Sequence, residues 1–164
     1  MNDPTSVTPV DEQFLLRAIG VARRAREHGN HPFGALVVTA DGRVIEGENT
    51  VVTESDPTGH AETNLVRVAA RALAREELHA STLYTSTEPC AMCSGAIYWA
   101  GIGRVVYALP EQALAAMVPS QDGEPTMDLP CREVFAAGGS TVHVAGPAVL
   151  DEAAAVHGGF WDQR

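Results

Sequence analysis

His60-Ala61-Glu62 and Pro89-Cys90-Ala91-Met92-Cys93 place two short groups of reactive side chains thirty residues apart, from His60 to Cys90. One imidazole and two thiols are the ligand types that hold a tetrahedral Zn²⁺, with a fourth position left open for water. For these three side chains to meet, the fold must bring two distant segments to one point. Strong helix formers follow the first group, and a second helix is expected to begin near Cys90, so both sit where a strand or loop gives way to a helix. The first turn of a helix carries free N–H groups and the positive end of the dipole, which lowers the cost of a thiolate. Cys90 and Cys93, three apart, fall on one side of such a turn. Glu62 is badly spaced for a ligand beside His60, yet close enough to exchange protons with water at the open position.

Each half of the pattern has plainer readings. A Cys-x-x-Cys alone also fits a redox pair or half of a structural zinc site, and a lone His-Ala-Glu carries little information. A non-enzymatic zinc or redox module would leave Glu62 without a use. A closed structural site needs a fourth protein ligand, and Cys131, His28, His31, His79, His143 and His157 all lack ligand-like spacing. The cysteine count of three, with no export signal, argues against a disulfide framework and towards metal or catalytic use. Cys131, beside Pro130, reads as a buried or half-buried free thiol.

A chain of 164 residues with 45% hydrophobic residues fits one domain with its own core. That domain is expected over residues 11–164, after a disordered segment over 1–10 rich in Pro, Thr and Asp. No apolar run has the length of a membrane span, and no basic region followed by an apolar stretch opens the chain, so the cytoplasm is the expected location. The net charge is −10, from 11 Lys and Arg against 21 Asp and Glu. Such a balance repels phosphate backbones and disfavours nucleic acid as a partner. Arg17, Arg23, Arg24 and Arg26 read as a solvated helix face, and a small uncharged ligand suits the chain better.

Phe14, Leu15, Ala18, Ile19 and Ala22 recur at helical spacing from Asp11, and Gly29 is the expected stop. Ala35–Thr39 and Arg43–Ile45 flank Asp41-Gly42 and predict a hairpin. His60 to about Leu78 reads as one helix, Ser81–Thr85 as a buried strand, Cys90–Gly101 as a helix and Arg104–Tyr107 as a strand. Further on, short helices are expected over Glu111–Met117, Arg132–Ala137 and Val149–His157, a strand over Thr141–Val144, and a loop over Pro119–Pro130. The alternation implies an α/β fold with parallel neighbours and helices on the faces of the sheet.

His31-Pro32-Phe33-Gly34-Ala35, Asn49, Asp56-Pro57-Thr58-Gly59-His60-Ala61-Glu62 and Thr87-Glu88-Pro89-Cys90-Ala91-Met92-Cys93-Ser94-Gly95-Ala96 resemble the cytidine deaminase-like superfamily. The likeness covers about residues 12–109 and is nearest the branch of guanine deaminases and tRNA adenosine deaminases. It implies a three-layer α-β-α fold around a five-stranded mixed sheet, a homodimer, and a zinc-dependent deaminase. By that resemblance His60, Cys90 and Cys93 are the zinc ligands and Glu62 carries protons. Asn49 hydrogen-bonds the base, the Ala61 N–H reads a ring oxygen, Phe33 packs on the base, and Trp99, in Ala96-Ile97-Tyr98-Trp99-Ala100, lines the pocket.

Phe33 and Trp99 lie in stretches that resemble the guanine deaminases, so guanine is the first substrate expected, with cytosine, isocytosine or an aminated triazine close behind. The alternative is a tRNA-editing adenosine deaminase. Guanine deaminases place an acid after the last shared strand, and here Asp122 or Glu124 is the candidate, beside the plainer reading of a solvated loop acid. The resemblance also implies a C-terminal tail over an active site, the chain's own or a partner's, a role that Phe160-Trp161 would fill.

Overall fold

The computed structural model describes residues 3–118 and 127–163. Helix α1 spans Pro9–Glu27. It begins two residues earlier than the periodicity predicts, because Pro9 suits the first helical turn and Thr8 caps it. Thr8 Oγ1 accepts the Asp11 N–H at 3.2 Å, and Asp11 Oδ2 accepts the Thr8 N–H at 2.8 Å. Residues 3–8 belong to the segment expected to be disordered; here Arg104 donates to Pro4 O at 2.9 Å and to Ser6 O at 3.1 Å, tying them to the sheet.

Strands β1 (Gly34–Val38) and β2 (Val44–Glu48) form the predicted hairpin, with Gly42 in the turn at φ 84°. Helix α2 runs only from Ala61 to Ala72, and α3 follows at Arg75–His79. The single helix expected here is broken because Leu73 and Ala74 are extended, which buries both Leu73 and Leu78. Every residue at the break is a helix former, so local propensity gave no warning and tertiary burial decided. Next come β3 (Thr82–Thr87), α4 (Ala91–Ala100), β4 (Arg104–Leu109), α5 (Glu111–Ala115), α6 (Cys131–Ala136), β5 (His143–Ala145) and α7 (Asp151–Ala155). The expected loop over Pro119–Pro130 falls largely outside the described residues.

The five strands stand in the order β2-β1-β3-β4-β5. β1 is antiparallel to β2 and β3, whereas β3, β4 and β5 are parallel, giving the mixed sheet. Alternate side chains divide the core in two. Ala35, Val37, Leu83, Val105 and Val144 pack under α2, α4 and α6, while Leu36, Tyr84, Val106 and Ala145 pack under α1 and α7. The three-layer α-β-α architecture is therefore present. No helix of the described residues is long and apolar enough to cross a membrane.

Asp11 joins the α1 layer to the sheet. Its carboxylate takes two bonds from the Arg104 guanidinium, at 2.7 and 3.0 Å, and one from the Tyr84 hydroxyl at 2.8 Å. Burial alone would raise its pKa, but Arg104, Thr8 and Tyr84 hold it well below the usual carboxylate range. A depressed pKa gives stability that is present above the unfolded carboxylate pKa and lost as pH falls through the folded one. Asp11→Asn should lower the melting temperature at neutral pH by several degrees, since breaking a buried pair costs about 3 kcal/mol. In a calorimetric pH series the variant should also lose the wild type's decline below about pH 4; an unchanged acid limb would remove Asp11 as its cause.

Candidate metal centre and active site

His60 and Cys90 are the residues that immediately precede α2 and α4, both with extended backbone. Cys93 follows one turn into α4. The helix starts converge because Thr87, at the end of β3, leads directly into Glu88-Pro89-Cys90, and because α2 lies close over β2. Gly47 permits that approach: a Cβ there would stand 2.6 Å from Ala61 O and 2.6 Å from the Leu65 side chain. Asn64 fixes the incoming loop from α2, its side-chain amide lying within hydrogen-bond reach of Glu48 O, Thr50 Oγ1 and Gly59 O at 2.9 to 3.3 Å.

His60 Nδ1 lies 3.6 Å from Cys90 Sγ and 3.6 Å from Cys93 Sγ, and the three donor atoms are all within 4.8 Å of one another. Zinc bonds of about 2.0 Å to nitrogen and about 2.3 Å to sulfur, at a tetrahedral angle, separate nitrogen from sulfur by about 3.6 Å. The donor set and its spacing therefore fit zinc. The two thiols bias one another. A hydrogen bond from Cys93, aided by His60, pulls the Cys90 thiol down, and the resulting partnership pushes Cys93 up. A divalent cation is the partner that lets both sulfurs ionise. The bond with Cys90 raises the His60 pKa, and Thr63 Oγ1 lies 3.3 Å from Cys93 Sγ.

Glu62, in the first turn of α2, is only 5% exposed. Its Oε1 lies 2.8 Å from Thr85 Oγ1 and its Oε2 lies 3.6 Å from Cys93 Sγ. Burial first, and the Cys90 charge second, raise its pKa. A buried carboxyl within reach of the ligand cluster can take up and release a proton without ion pairing to a basic side chain.

The other residues singled out by the sequence divide into two groups. Asn49 is buried directly after β2, and its N–H donates to Phe33 O at 3.2 Å, so the two residues stand side by side just beyond the open end of the β1–β2 hairpin. The Asn49 side chain accepts the Val51 N–H at 3.1 Å. Ala61 opens α2, where its N–H has no acceptor within the helix. Trp99 is the correction. It is 84% exposed, because nine residues of helix turn it to the side opposite Cys90 and carry it to the far end of α4. It does not line the site within this chain.

The tail packs against Phe33. The Trp161 ring lies 6.2 Å from Phe33 and stacks at 6.1 Å on His157, with Trp161 Nε1 donating to His157 Nδ1 at 3.3 Å. Arg26 holds the turn before it through Val156 O and Gly158 O. Asp122 and Glu124 lie outside the described residues. Cys131 is buried, as expected, and burial beside Glu88 pushes its thiol up to about 12.

Sequence reasoning missed Glu111, Thr85 and Glu88. Thr87 and Leu109 are partners in the parallel β3–β4 ladder, so Glu111 leaves the sheet level with Pro89. Burial, then the charges of Cys90, Glu88 and Glu62, raises Glu111 to about 7. Glu88 holds this edge together, accepting the Glu111 N–H at 3.2 Å and the Cys131 N–H at 3.1 Å. The signal available was the parallel pairing itself, which brings the residues after two strands to one edge.

Residues 8–109 match the family model of the cytidine and deoxycytidylate deaminase zinc-binding region. A probable cytosine deaminase of Schizosaccharomyces pombe is 39% identical over 158 residues, which is 96% of this chain and 96% of that protein. A guanine deaminase of Bacillus subtilis is 46% identical over 98 residues, 59% of this chain and 63% of that one. The X-ray structure of guanine deaminase from Bacillus subtilis superposes with a TM-score of 0.60 at 36% identity, covering 72% of this chain and 84% of that one. Cys90→Ala should reduce bound zinc from one ion per chain to about none after dialysis, because His60 and Cys93 alone cannot close the coordination shell. Elemental analysis that still found a full complement would mean another ligand serves.

Proposed function

The chain belongs to the cytidine and deoxycytidylate deaminase family of zinc-dependent enzymes, and from that membership we propose that it hydrolyses the exocyclic amine of a free nucleobase to ammonia and a ring carbonyl. The observation that carries this reading is the Glu62 carboxyl, buried 3.6 Å from a Cys93 sulfur in the ligand cluster. Zinc held by His60, Cys90 and Cys93 supplies the Lewis acidity that makes water a nucleophile near neutral pH. Glu62 accepts a proton from the attacking water at Oε2 and delivers it to the ring nitrogen beside the reacting carbon. The remaining hydroxyl proton then passes through Glu62 to the amine, which leaves as ammonia while the carbonyl forms. One water is consumed, and the carboxylate returns to its starting form.

Asn49 and the free Ala61 N–H are the groups proposed to hold the base, with Phe33 packed on its face. Trp161, seated against Phe33 of the same chain, supports a tail that closes over the chain's own site. Glu111 is the acid proposed to meet the N–H edge of the base. The 158-residue likeness to the probable cytosine deaminase extends well beyond the shared core, and this supports cytosine ahead of guanine. Guanine rested on Phe33 and Trp99, and the exposure of Trp99 removes one of these supports. Val68 on α2 and Met92 and Trp99 on α4 are exposed apolar side chains, which supports a homodimer that covers them.

Ammonia release should be measured with cytosine, guanine, isocytosine, an aminated triazine, their nucleosides where these exist, and tRNA. Cytosine should be turned over fastest and tRNA not at all; a preference for tRNA would overturn the free-base reading. Glu62→Gln should keep its zinc and lose about 10²–10⁴-fold in kcat, whereas persistent turnover would remove Glu62 from its role. Glu111→Gln should raise KM more than it lowers kcat, and an unchanged KM would take Glu111 away from the base.

A further inference from the structure

A proton carrier must face the reacting atoms, and a glutamate side chain has three rotatable bonds with which to face elsewhere. Glu62 is held by one neighbour in particular. Thr85 Oγ1, on β3, lies 2.8 Å from Glu62 Oε1, and that contact leaves Oε2 on the side of Cys93 Sγ. Thr85 is 1% exposed and shares its sheet face with Leu83 and Thr87, the face that α2 and α4 cover. Its β-branched side chain has few χ1 choices, and the hydroxyl is also anchored to Thr87 O at 3.0 Å. The hydroxyl has one proton and two acceptors in reach, so it can meet Oε1 either as donor or as acceptor. A methyl group in its place can do neither.

We infer that Thr85 is a positioning residue, whose hydroxyl sets which carboxylate oxygen of Glu62 faces the metal cluster. The inference rests on the role proposed for Glu62. Thr87 supplies a built-in control. It lies two residues along the same strand face, it is buried, and its Oγ1 has no hydrogen-bond partner among the described residues. Nothing ties that hydroxyl to Glu62.

The test compares Thr85→Val, Thr85→Ser and Thr87→Val in the zinc-loaded protein, with the base that the wild type deaminates best. Thr85→Val should keep its zinc, lose about tenfold or more in kcat, and change KM by less than about threefold. Thr85→Ser should recover most of the rate because it restores the hydroxyl, and Thr87→Val should match the wild type. A Thr85→Val enzyme with wild-type kcat overturns the inference, as does a serine variant no better than the valine one, or an equal loss in Thr87→Val. A crystal structure of Thr85→Val gives a readout independent of activity. Glu62 should adopt a different side-chain conformation there, and an unchanged carboxyl would overturn the inference even if no base tried is a substrate. Failure of the wild type on every base, with Glu62 reoriented in the variant, would instead count against the proposed reaction alone.

Discussion

Two helix openings aimed at a common point are the constraint to which the rest of this molecule answers. His60 and Cys90 stand just before α2 and α4, and Cys93 lies one turn inside the second helix. Unpaired N–H groups at both openings favour negative sulfur. Their meeting depends on β3 ending where Cys90 is needed and on α2 resting closely over Gly47. A one-residue slip of α2 would rotate its first turn by about 100° and swing the imidazole out of reach. The sheet register is in this sense part of the metal site.

The buried carboxylates show how differently one fold can accommodate a charge. Asp11 is met by a guanidinium and serves as a structural rivet between layers. Glu88 accepts two backbone N–H groups and ties the starts of α5 and α6 to the residues before Cys90. Glu62 is given a neutral hydroxyl, and burial raises its pKa. A carboxyl fixed by a guanidinium would bind its negative charge too firmly to exchange protons. One held by a neutral hydroxyl beside the Cys93 sulfur keeps that freedom.

Much of this was legible from the residues. Asp41-Gly42 marked the hairpin, the apolar stripes marked α1 and α2, and the histidine and two cysteines at helix starts marked the cluster that the fold assembles. What escaped was decided by tertiary contacts. The break at Leu73 follows from burying two leucines, which no propensity reveals. The order of residues 3–8 comes from Arg104, a hundred residues away. Trp99 looked like a pocket residue from its neighbours in sequence, but helical geometry turns it outward. Glu111 and Thr85 carry no motif; strand pairing alone gives them their places.

The level ending of β3 and β4 has a further consequence. The segment after β3 carries both sulfurs and tolerates little change in length, because α4 must start where it does. The segment after Leu109 leaves from the neighbouring rung, and its described residues supply no atom to the metal cluster. Insertions, deletions or exchanges there could reshape what the enzyme accepts without touching how it breaks a carbon–nitrogen bond. Selectivity can therefore drift along one strand exit while the chemistry stays locked at the other.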